Sequence, residues 1–97
     1  MSYLESLAAE IEQVVPRELV PEQDTSALFL IYAVLLLAKG QDVAREDVHN
    51  AWVAWMTSRG EQHESMVPFE ELPPDTQAED SPFVVAIGTV ARRRRNG

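Results

Sequence analysis

The sequence contains no cysteine. That absence excludes a disulfide scaffold, thiolate zinc sites and thiol nucleophiles together. Glycine is sparse: the four residues at positions 40, 60, 88 and 97 are too scattered to build a phosphate-cradling loop. The two histidines, His49 and His63, do not form a His-x3-His pair, and no EF-hand loop is present, so no metal site and no cofactor are expected. Long apolar runs are missing too. The longest, Ala27–Ala38, has 12 residues, whereas a membrane span requires about 20. The opening Met1-Ser2-Tyr3-Leu4-Glu5 has no basic residue of the kind that begins a secretory signal. A cytoplasmic protein without membrane association is expected.

Positive charge is in short supply as well. The net charge is −8, and four of the eight basic residues form the terminal run Arg92–Arg95, leaving a strongly acidic body. Phosphate backbones need a cationic surface, so nucleic acid is not an expected partner. The basic tail 92–97 reads as a helix extension that complements the macrodipole and frays into water.

What is present is helical periodicity over 97 residues, a length that makes one domain, 1–97. Leu4, Leu7, Ala8, Ile11, Val14 and Val15 recur at helical spacing between Ser2 and Val15, with Glu5, Glu10 and Glu12 opposite. Ser2 and Glu5 have the spacing of a capping box, and Pro16 ends the segment. Asp24 or Thr25 opens a second helix that reaches Lys39, with Gly40 at its C-terminal turn. A third helix spans about 44–58, with Glu46 and Asp47 in its first turn and Gly60 behind it. Residues 60–81 form an ordered loop rich in proline and acid, with short turns at 69–72 and 74–79. Asp80 or Ser81 then caps a last helix from Pro82 to about Arg94, whose buried stripe is Phe83, Val84, Ile87 and Val90 or Ala91. Gly88 in its middle predicts a close helix contact. The expected fold is all-α, a small orthogonal array of about four helices with that loop between helices 3 and 4.

The second helix is apolar all round, which requires burial on most sides. Three other short helices offer little cover, so part of it is expected in a homodimer interface at Phe29, Tyr32 and Leu36, joined by Trp55 from the edge of the third helix. The alternative is a wholly intramolecular core.

Catalytic groups are hard to find. Only Ser65 lies near a histidine, in His63-Glu64-Ser65, and neighbouring residues rarely align a nucleophile with its base. The chain is therefore read as a binding protein and not as an enzyme. Trp52 and Phe69 are either core residues or stacking surfaces. His49 and His63 either hold loop carbonyls or touch a ligand.

The stretch Val48-His49-Asn50-Ala51-Trp52, followed by His63-Glu64-Ser65-Met66-Val67-Pro68-Phe69-Glu70-Glu71-Leu72-Pro73 and by Asp80, resembles the ryanodine-receptor repeat domain. The resemblant region spans about residues 43–83, and Val-Pro-aromatic-x-x-Leu-Pro is its most specific piece. Residues 57–62 replace the Gly-Trp-x-Tyr-Gly segment of that family, and Asn50 replaces its usual acid. The whole chain also resembles short proteins carried by actinobacteria and their phages. The resemblance implies a helical module in which His49, Trp52, His63 and Phe69 line a groove for a nucleotide-like small molecule, in a signalling or phage-conflict setting. The alternative is a protein-interaction module, a homodimeric adaptor or an acidic inhibitor of a protein partner, with no small ligand.

Overall fold

Ser2 and Glu5 close on each other: the Ser2 N–H donates to Glu5 Oε1 at 2.8 Å, and the Glu5 N–H donates to Ser2 Oγ at 3.1 Å. This capping box starts helix α1, Tyr3–Val14, in a computed structural model that describes residues 2–96. Beyond Pro16 the connector makes one 3-10 turn, Arg17–Leu19. Asp24 Oδ1 accepts from the Ser26 N–H at 3.0 Å and opens α2, Ser26–Lys39. Gly40 follows at φ +57°, a left-handed conformation that side-chain-bearing residues avoid.

A second 3-10 turn, Gly40–Asp42, leads into α3, Arg45–Ser58. Asp47 secures that junction twice. The Ala44 N–H donates to its Oδ2 at 2.8 Å, and Lys39 Nζ at the end of α2 donates to its Oδ1 at 3.0 Å. Burial opposes ionisation of Asp47, but the Ala44 amide and Lys39 outweigh it and hold the carboxyl below its ordinary value. Gly60 at φ +71° then turns the chain away from α3. The acidic segment contains a 3-10 turn, Phe69–Glu71, and the short helix α4, Pro74–Ala78. The last helix, α5, runs Ser81–Asn96 and carries the exposed Arg92–Arg95 in helical conformation.

The fold is all-α, with four main helices and no strand among the described residues. Among the described residues no helix is long and apolar enough to cross a membrane. Helix α2 is the central element, touching α1, α3 and α5. It buries Leu28, Phe29, Tyr32, Ala33 and Leu36 against Leu7 and Ile11 of α1, Val48 and Trp55 of α3, and Ile87 and Val90 of α5. The rings interlock: Phe29 meets Tyr32 edge to face at 5.3 Å, and Tyr32 meets Phe83 at 5.8 Å.

This packing corrects the expected interface. Phe29, Tyr32, Leu36 and Trp55 are all buried inside the single chain, so none is available to a second copy. The cover comes from the order of the helices: three of them converge on α2 from different sides. Its outer face keeps Val34 and Leu37 in solvent, at 52% and 46% exposure. Trp55 was expected at the edge of its stripe, yet it is a core residue at 1% exposure. Seven residues after Val48 it returns to the same helix face, and the Arg59 guanidinium covers its ring at 5.0 Å. Trp52, one turn after Val48, lies to the side and is half-buried. The close contact expected at Gly88 is also absent: a Cβ built there meets no atom within 4 Å.

Candidate ligand cleft

The acidic loop is docked against α3, not hanging from it. His49 Nε2 donates to the Val67 carbonyl at 2.6 Å. A carbonyl only accepts, so Nε2 carries a proton, and in the neutral form of the ring Nδ1 is the lone pair. Gln77 of α4 adds two ties, donating from Nε2 to the carbonyls of Phe69 at 3.1 Å and Leu72 at 3.2 Å. Leu72 is buried, and Met66 packs against the core. His63 is fixed as well, because the Ser65 N–H donates to its Nδ1 at 3.0 Å. Its proton therefore sits on Nε2. The Ser65 hydroxyl takes no part in that bond.

Docking of the loop leaves a cleft of about 240 Å³ between it and the helices. Several segments contribute: Leu19 and Pro21 from the connector, Tyr32 from α2, His49 and Trp52 from α3, His63 and Leu72 from the loop, Asp80 before α5 and Phe83 within it. Three of the four residues expected to bind a ligand thus come together. The His49 and Trp52 rings lie 5.9 Å apart, and His63 meets Trp52 nearly at a right angle at 5.4 Å. Phe69 departs from expectation. It does not line the cleft but sits behind His49, with its centroid 6.1 Å from the imidazole and the Arg45 guanidinium 5.9 Å from its own centre. The 3-10 turn that follows Pro68 carries the ring past the opening, where it props His49.

Among the polar members of the cleft that were not expected to meet a ligand, two stand out, Tyr32 and Asp80. Tyr32 lies within the apolar run, where the signal was its hydroxyl alone: a buried tyrosine needs a partner for that oxygen. Asp80 was expected as a helix cap. It stands at that position and its main-chain carbonyl accepts the first helical bonds, from the Phe83 and Val84 amides, but its side chain makes no hydrogen bond among the described residues. Burial raises the Asp80 carboxyl to about 6, against opposing pulls from His49 and Arg45 and a reinforcing one from Glu79. Burial, then the charge of Asp80, pushes the Tyr32 phenol above its ordinary value. Among the described residues, no three histidine, aspartate or glutamate side chains gather as metal ligands.

The cleft thus has flat apolar walls and polar side chains between them. No curated protein and no solved structure matches the chain. A family model does match, over residues 2–92, and the chain belongs to that family, described as Domain of unknown function (DUF7701).

Proposed function

We propose that the chain is a non-catalytic, cytoplasmic binding module that holds a small flat ligand in the cleft between α3 and the acidic loop. The observation that carries this reading is the convergence of Trp52, His49 and His63 on one opening whose loop wall is fastened by the His49–Val67 bond. Ligand sites are concave, mostly apolar and supplied with a few convergent polar groups, and drug-sized examples run from about 300 to 1,000 Å³. A cleft of about 240 Å³ suits something smaller, the size of a single ring system. The resemblance of 48–73 to ryanodine-receptor repeats supports a ligand role, and it narrows to the ring of a nucleotide-like molecule. No lysine or arginine lines the cleft, whereas Glu79 and Asp80 do, and these repel a phosphate.

The test is a fragment screen followed by NMR amide and side-chain shifts on the whole chain. Ring-sized fragments should move His49, Trp52 and His63 together and raise the melting temperature as RT ln(1 + [L]/Kd) prescribes. A screen whose hits fall elsewhere, or that yields none, removes the reading.

A second reading has one observation in its favour. Val34 and Leu37, one turn apart on the outer face of α2, leave apolar surface exposed, which suits a protein partner or a second copy. Light scattering that gives the monomer mass at micromolar concentration would dismiss self-association.

A further inference from the structure

We propose that the cleft selects a small planar cation carrying at least two N–H donors, such as an amidinium or a protonated aminoheteroaromatic ring, and that Tyr32, His49 and Asp80 form the floor that recognises it. The inference rests on the cleft being a ligand site and adds the charge and hydrogen-bond pattern of what it takes.

Tyr32 and His49 are almost fully buried, at 2% and 3% exposure, and both line the cleft. His49 Nε2 is committed to Val67, so Nδ1 is the ring atom left to the cleft, a lone pair in the neutral imidazole. Among the described residues, neither Nδ1 nor Tyr32 Oη has a protein partner, yet no polar side-chain atom is sealed away without one. Both atoms therefore open onto the cleft. Each belongs to a side chain that is otherwise buried, so the cleft is where these two polar atoms find a partner.

Asp80 completes the set. An aspartate at a helix start ordinarily spends its carboxylate on the amides of the first turn, but here the carboxylate makes no hydrogen bond among the described residues and lies at the cleft. Its charge lies near enough to Tyr32 to act on the phenol. The floor thus offers two acceptors, the carboxylate and Nδ1, beside a hydroxyl that can do either. A complementary ligand brings donors. Charge decides the rest: Asp80 and the neighbouring Glu79 repel anions, and the Trp52 face attracts a cation. Flatness follows from the aromatic walls of Trp52, His63 and Phe83.

Benzamidine, benzamide and benzoate have nearly one shape and differ in charge and donors, so they make suitable probes. In NMR titrations of the full chain near neutral pH, benzamidine should shift Tyr32, His49 and Trp52 with an affinity about tenfold or more above benzamide, and benzoate should not bind, as a charge-assisted bond in a partly desolvated site requires. Asp80→Asn should abolish the preference for benzamidine, and Tyr32→Phe, which keeps the ring in the core, should weaken it severalfold. Dispersed amide spectra of each variant confirm that the fold survives. Equal affinities for benzamidine and benzamide, binding of benzoate, or an Asp80→Asn variant that keeps the preference overturns the cation assignment and leaves the cleft standing as a ligand site. Failure of all three probes to move cleft residues also overturns it, and the broader fragment screen then decides independently whether the cleft binds anything.

Discussion

His49 donates to the carbonyl of Val67, 18 residues further along the chain, at 2.6 Å. That bond joins the tryptophan-bearing helix to the acidic loop, fixes the imidazole tautomer and holds one wall of the cleft. Replacing the residue by alanine strands a partly buried carbonyl and removes the ring that packs between Trp52 and Phe69. His49→Ala should lower stability by about 1–3 kcal/mol in urea denaturation. It should also speed amide exchange at Met66, whose N–H donates to the His63 carbonyl at 3.0 Å. Unchanged exchange at Met66 would mean that the loop is held by other contacts.

The two tryptophans should separate clearly on mutation. Trp55 is fully buried among Val48, Ala51 and the α2 and α5 side chains, whereas Trp52 is half-buried at the cleft. Trp55→Ala should cost about 3–5 kcal/mol, the range for deleting a buried large aromatic. Trp52→Ala should cost clearly less. The reverse order in chemical denaturation would contradict the placement of both rings.

Helix positions were legible in the sequence because local signals set them: the Ser2–Glu5 box, Pro16, and the glycines at 40 and 60. So was the union of loop and helix, which rests on the His49 and Val-Pro-Phe motif. Burial on α2 was not. A run of 12 apolar residues has no polar face to mark its orientation, so only the placement of α1, α3 and α5 reveals that Val34 and Leu37 face outward while Tyr32 faces in. Trp55 was misplaced because apolar residues occupy adjoining faces of α3, Val48 and Trp55 on one and Trp52, Val53 and Met56 beside it, and periodicity alone does not rank them. Asp80 drew notice only as a cap, since sequence spacing places a carboxylate at the start of α5 without telling whether it turns to the first-turn amides or to the cleft.

Gly88 offers a gain in stability. It lies within α5 at ordinary helical geometry, and a Cβ built there meets nothing within 4 Å. Gly88→Ala should stabilise by about 0.5–1 kcal/mol, because alanine loses less backbone freedom on folding and the helix has room for the methyl group. A raised urea midpoint with an unchanged slope is the expected result. A lowered midpoint would show that some side chain needs that space.

The final prediction concerns pH. Burial raises the Asp80 carboxyl from 3.8 to about 6, with His49 and Arg45 opposing, Glu79 assisting and the Tyr32 phenol beside it. The folded chain therefore binds this proton more tightly than the unfolded chain does. Between the two values the native state carries more protons, so the contribution of Asp80 to stability is full below 3.8 and is lost as the pH rises through about 6. Asp80→Asn keeps the shape and removes the charge. The variant should match the parent in acid and exceed it above that window, by about 1 kcal/mol once solvent screening of a half-exposed carboxylate is allowed for. Thermal or urea denaturation of both proteins from about pH 4 to about pH 7 measures the gap, which isolates Asp80 from the other titrating groups. A gap that does not change with pH, or one that widens toward acid, would show that the carboxylate is well solvated and not desolvated within the cleft.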